Sequence, residues 1–569
     1  MKVVLCWHMH QPEYRDLRSG EYELPWTYLH ALKDYVDMAA HLEAHPKACA
    51  VVNFAPVLLD QIADYSRQID HYFSRGAALR DPILTALVQV VHPSSSSERL
   101  TLLTKMLRVN RKRVIERFPT FARLATMVDW LELNPSASIY ISDQFITDVV
   151  VWYHLGWVAE TVRREDVRIK RLQDKQQNYN LQDRLELLRI VQQLIDSLVP
   201  RYRKLAESGR VELAMSPYAH PIVPLLLELD SARAAMPAVE LPLNAAYPGG
   251  LERAHWHLQQ GLQTFEQHFG LRPIGCWPSE GSVSLPTLQL LQQHGFRWAA
   301  SGETVLRNSL ELSRQDAAFK LPNDCLHRVY RCADTAIDCF FRDDGLSDRI
   351  GFLYADWHAD DAVANLIHDL ENIAAACPAS DDTVVSIILD GENAWEYYPE
   401  NGYYFLDALY KKLSAHNSLE LTTFQRVLAP QTLKRVQLPA LVAGSWVYGT
   451  FSTWIGNGDK NLGWDMLCAA KRAYDVAMSG GALTEQQRAQ ATLQLAACEG
   501  SDWFWWFGDY NPAAAVSDFE RLFRRHLGNL YQLLGAPIPD ELSQVVSRGG
   551  GSPERGGVML HGQAPSAVQ

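Results

Sequence analysis

The chain has 569 residues, 47% apolar and 21% charged, which excludes an unfolded chain or a disulfide-stapled miniprotein and leaves room for one large domain with extensions or for several domains. Lys and Arg number 53 against 66 Asp and Glu, a net charge of −13 that speaks against nucleic acid or an anionic membrane as partner and for a neutral ligand. The nine cysteines are scattered without a CxxC pair, Val3–Trp7 is too short for a signal-peptide core, and no apolar run approaches the ~20 residues of a membrane helix, so a reduced, cytoplasmic protein is expected.

Seven short apolar or β-branched runs follow one another, each stopping at polar residues. Val3–Trp7 leads into His8-Met9-His10-Gln11-Pro12, and Ala48–Phe54 carries Asn53 and stops before Pro56. Between this run and the next, residues from about 90 to 200 repeat apolar side chains at three and four, a helical insertion. Its basic run Arg111-Lys112-Arg113 reads as a solvated helix face. Val211–Met215 ends at Ser216, Pro273–Trp277 at Pro278-Ser279-Glu280-Gly281, and Arg297–Ala300 at Ser301-Gly302-Glu303. Ala336–Phe341 ends at Arg342-Asp343-Asp344, and Thr383–Leu389 at Asp390-Gly391-Glu392-Asn393. Near-continuous apolar strands alternating with helices predict a parallel α/β sheet covered on both faces. Polar clusters just past the strand ends are where a β/α barrel carries its site.

The expected fold is an irregular seven-stranded β/α barrel over residues 1–400, followed by a helical domain over 401–545. The Gly-rich residues 546–569 read as a disordered tail.

Two carboxylates follow strands at Glu280 and Asp390. Paired acids at one barrel mouth suit glycoside cleavage, where one attacks or stabilises the anomeric carbon and the other donates a proton to the leaving oxygen. Helix capping or an ordinary salt bridge are the alternative readings of either acid. His8 and His10 share one side of their strand by alternation and could contact sugar hydroxyls, serve structure, or hold a metal with His220 or His358. The run Ser501-Asp502-Trp503-Phe504-Trp505-Trp506-Phe507 offers either a stacking platform or a packed core.

Together these motifs resemble glycoside hydrolase family 57, whose five short regions look like His10-Gln11-Pro12, Gly209–Leu213, Trp277–Glu280, Leu389–Glu392 and Ser501–Trp505. The resemblance implies an incomplete (β/α)7 barrel with a helical domain that completes the cleft, and activity on an α-glucan or maltooligosaccharide, with Glu280 as nucleophile and Asp390 as general acid/base of a retaining mechanism. On this reading His8, His10, Glu212 and Asp502 orient the sugar, Trp357 and Trp505 offer stacking surfaces, and Trp277 and Trp395 are candidates to wall the acids; no metal or organic cofactor is required. Two departures bear on subsite preference: Asp-Trp-Phe-Trp-Trp stands in the fifth region and Asp-Gly-Glu-Asn in the fourth. A 4-α-glucanotransferase or branching enzyme would use the same residues. A metal-dependent deacetylase or mannosidase, and a non-catalytic glucan-binding protein, are the readings from other classes.

Overall fold

A computed structural model describes residues 1–90, 92–316, 319, 325–377, 382–551 and 558–563. The seven runs become strands β1 (Lys2–Met9), β2 (Ala50–Phe54), β3 (Val211–Met215), β4 (Gly275–Cys276), β5 (Trp298–Gly302), β7 (Asp338–Arg342) and β8 (Val384–Asp390). Three more, β6 (Tyr330–Cys332), β9 (Glu420–Thr422) and β10 (Val436–Leu438), pair outside that ring. Neighbours in the series β1-β2-β3-β4-β5-β7 are parallel, β8 pairs along the whole of β1, and a single β7–β8 pairing, Arg342 with Ser386, closes the barrel. The expected incomplete barrel is thus a closed seven-stranded one with a thin seam.

Alternation explains how the strands build a site. On β1, Val3, Leu5, Trp7 and Met9 join the outer core, while Val4 and Cys6 fill the barrel interior. Val51, Ala214, Trp298, Phe340 and Ile388 fill it from other strands. One step further along the same inward rows stand His8, Asn53, Ser216, Arg342 and Asp390. Each polar residue at the mouth therefore continues an apolar row beneath it.

The opposite end is plugged. Helix Phe424–Leu428 sends Phe424 into the interior, stacked on Phe340 with ring centroids 4.2 Å apart, and Gln425 N–H donates to Glu212 at 2.7 Å. Residues 420–438 thus belong to the barrel, through β9 on β1, this plug, and β10 on β6. That moves the start of the helical region from the expected 401 to about 458, because short apolar runs after 414 find strand partners.

The insertion between β2 and β3 is helical, as expected, and also includes helices Pro56–Arg75 and Pro82–Val88 ahead of residue 90. Arg111 pairs with Asp129 on the surface and Arg113 donates to the Tyr397 carbonyl. The C-terminal helices Gly458–Ser479, Glu485–Cys498 and Ala513–Leu533 share one continuous hydrophobic core with the barrel's outer layer. A buried cluster joins them to helix Gly250–Phe269: Glu499 accepts from Tyr247, Arg253 and His257. The tail departs from expectation. Val546 and Ser547 are buried, and residues 558–562 lie against the barrel mouth. No helix among the described residues is long and apolar enough to cross a membrane.

Candidate active site

A cleft of about 560 Å³ opens at the barrel mouth between the C-terminal helices and the insertion, and Glu280 and Asp390 both line it. Glu280 sits in the turn after β4 with φ 58° and ψ 28°, the left-handed region that a non-glycine residue occupies at a cost of order 1 kcal/mol. His220 (φ 59°) and Tyr448 (φ 57°) are held in the same region nearby. Trp446 clamps the Glu280 turn twice: its backbone N–H donates to the Glu280 carbonyl at 3.1 Å and its indole Nε1–H to Glu280 Oε2 at 3.0 Å. Asp390, the last residue of β8, accepts from Asn393 Nδ2 at 3.0 Å.

Burial dominates the electrostatics. It pushes the Glu280 carboxyl up from 4.5 to about 8, helped by the charges of Asp390 and Asp502 and opposed by the Trp446 hydrogen bond. Burial also raises Asp390, while the Asn393 hydrogen bond and the positive charges of His10 and Arg342 hold it back. Burial therefore disfavours a second negative charge at the pair. Arg342 is itself wholly buried, donating to the Ile388 carbonyl at 2.8 Å and to Asp344 and Asp348 at 2.6 Å.

Three histidines stack along one wall. His10 lies over His220 with centroids 3.8 Å apart, and His8 lies 5.0 Å from His220. Asn53 Oδ1 faces His8 Nδ1 at 2.6 Å, which places the proton on Nδ1 and leaves Nε2 to accept from His220 Nε2 at 3.1 Å. Burial lowers His8 to about 3 and lowers His220 as well, so both are neutral. His220 Nδ1 meets Ser501 Oγ at 2.9 Å, and His10 Nε2 donates to Asp502 at 2.9 Å. His10, His220 and Asp502 each offer a donor atom within 4.8 Å of the others, a set able to hold a cation. His10 Nδ1 and Glu392 Oε2 are buried without partners among the described residues, on side chains that line the cleft. Such atoms are ready for ligand hydroxyls.

The sequence-derived residues divide. Glu280, Asp390, His8, His10, Asp502 and Trp505 line the main cleft, and Trp277 lines a small cavity on the other flank of the two acids. Three others lie elsewhere. Glu212 is inside the barrel below the mouth, accepting from Trp298 Nε1 and Gln425 N, because it stands four residues before Ser216 reaches the top of the same inward row. Trp395 is 1% exposed; it donates to the Gly391 carbonyl and packs edge-on against Trp7, a buttress behind the Asp390 turn. Trp357 lies in an outer groove with Tyr354 and Lys411. Conversely, Trp446, His220, Glu392 and Arg342 belong to the site. His220 and Glu392 stood in or beside motifs, Trp446 stood in the stretch Gly444-Ser445-Trp446 whose likeness to the family marks it as lining or supporting the cleft, and Arg342 carried no local signal beyond its position after an apolar run.

The family description "Glycosyl hydrolase family 57" matches residues 4–441. Three solved structures are similar in fold. A family 57 branching enzyme from Thermococcus kodakaraensis is 14% identical, with TM-score 0.56 over 96% of this chain and 93% of its own. One from Pyrococcus horikoshii is 15% identical, with TM-score 0.56 over 94% and 89%. An α-amylase from Thermotoga maritima is 14% identical, with TM-score 0.52 over 95% and 94%. With both acids, the histidine wall and the fifth-region Asp502 converging on one mouth, and the family match spanning most of the length, the chain belongs to glycosyl hydrolase family 57.

Proposed function

We propose that the protein is a retaining α-glucan hydrolase whose reacting groups are Glu280 and Asp390. The observation that carries this reading is the pair itself: two carboxyls that line one cleft, Glu280 held by the Trp446 indole and Asp390 by the Asn393 amide. Ionised Glu280 attacks the anomeric carbon while the bond to the leaving oxygen breaks and Asp390 supplies that oxygen with a proton. Asp390 then takes a proton from water, whose oxygen bonds to the anomeric carbon as the glycosyl–Glu280 ester breaks. For attack Glu280 must be ionised and Asp390 protonated, and the Trp446 indole favours this by stabilising the Glu280 anion.

His10 and Glu392 offer unpartnered polar atoms to the sugar, and Trp505 and Trp506 give the cleft aromatic walls. Two neutral histidines, His8 and His220, line the reacting centre without adding charge. No step calls for a metal or an organic cofactor. Eight described cysteines are free thiols, seven of them buried, which supports a cytoplasmic setting.

The test is product analysis with maltoheptaose and pullulan beside Glu280→Gln. Shorter oligomers alone, lost in the variant, are expected. A ladder extending above the input would replace hydrolysis with glucanotransfer by the same residues. No turnover of either glucan would overturn the reading.

A further inference from the structure

Residues 558–562 of the C-terminal segment cross the barrel mouth. Val558 stands on the rim of the main cleft. Met559 and Leu560 line a second cavity, of about 20 Å³, that also touches Glu280 and Asp390. That space is of the order of a single water and far too small for a sugar ring. Leu560 is 8% exposed, so it is packed down rather than resting on the surface.

The segment is tied at its far end. Gly562 N–H donates to Asp348 at 3.0 Å, its carbonyl accepts from Tyr448 N–H at 2.9 Å, and His561 stacks on Phe352 with centroids 3.9 Å apart. Gly562 lies so close to Asp344 and Arg342 that a Cβ there would overlap both side chains. Two hydrogen bonds, one ring contact and a position that only glycine fits define a fixed berth.

We propose that this segment is a specificity-determining wall: it closes the cleft behind Glu280 and Asp390, so that a chain end, and not the interior of a glucan, reaches the acids. The inference rests on the glucan reading above. With the segment in place, the space it borders beside the acids is of the order of one water, against about 560 Å³ in the main cleft.

The test compares a linear maltooligosaccharide with a large-ring cyclic α-glucan, which has no ends. The proteins are the full chain, the chain lacking residues 552–569, and Gly562→Val. Amide hydrogen exchange at Tyr448 reports whether the segment is in its berth. The full chain should favour the linear glucan, and both variants should lower the linear-to-cyclic ratio of kcat/KM roughly tenfold or more while the Tyr448 amide loses protection. An unchanged ratio with Tyr448 deprotected would overturn the proposal, as would Tyr448 exchange that is identical in all three proteins. If none turns over either glucan, the proposal falls together with the glucan reading; a difference in Tyr448 exchange would then show that the berth is real and that the error lies in the substrate.

Discussion

Replacing Glu280 by Gln should stabilise the protein, and only at neutral to alkaline pH. The carboxyl is raised from 4.5 to about 8 in the folded state. A raised acid binds its proton more tightly when folded, so between those two values the folded chain holds more proton than the unfolded one. Stability therefore falls as pH climbs through that window and stays low above it. The full rise corresponds to about 5 kcal/mol, a ceiling because the cleft is open to water. Unfolding entropy for 569 residues is about 1.2 kcal/mol per degree, so the ceiling is about 4 °C in Tm. Gln keeps an oxygen for the Trp446 indole and cannot ionise. Calorimetry should thus show equal Tm for both proteins at pH 4.5 and a variant advantage of about 1–4 °C at pH 8.5. A gap that is the same at both pH values would refute the argument, since it would show that Glu280 titrates alike folded and unfolded.

Trp446→Phe removes the donor that steadies ionised Glu280, so the acid limb of the kcat/KM profile should move to higher pH and kcat should fall roughly 10- to 100-fold; an unmoved limb would deny the contact a role. Glu212→Ala leaves the Trp298 indole and the Gln425 amide without an acceptor inside the barrel, and denaturant unfolding should show a loss of about 2–4 kcal/mol, whereas Glu212→Gln restores most of it. Glu499 is lowered from 4.5 to about 2, so the stability it contributes is whole above 4.5 and lost as pH falls toward 2; Glu499→Gln should remove about 3 kcal/mol at pH 7 and flatten the acid limb of a stability curve. Trp357→Ala should leave kcat and KM unchanged, since its groove shares no wall with the acids.

Much of the barrel was legible because the inward rows ending at His8, Asn53, Arg342 and Asp390 turn from apolar to polar at one height, and a strand's end can be read from a single sequence. Height itself was not legible. The second region put Glu212 beside the sugar, yet whether an inward residue stands at the mouth or below it depends on how far neighbouring strands are staggered. Trp395 was misjudged for a related reason: adjacency to Asp390 in the chain says nothing of which side of a turn a ring takes. The Glu280–Trp446 contact spans 166 residues and has no local signature. The tail was missed because glycine-rich composition reports conformational freedom but not the berth that only glycine could fill.

The plug at the barrel's lower end also bears on how the chain is made. Met1 donates to the Ser418 carbonyl, β1 finds its lower partner in β9, and the interior layer of Glu212 and Trp298 is sealed by Phe424. During synthesis the first strand emerges more than four hundred residues before these contacts can form. Until then the interior stands open at the bottom, with one oxygen of Glu212 lacking its Gln425 donor, a state that invites chaperone capture. Cutting the gene at residue 400 would not liberate a catalytic unit; it would hold the nascent barrel in that open state.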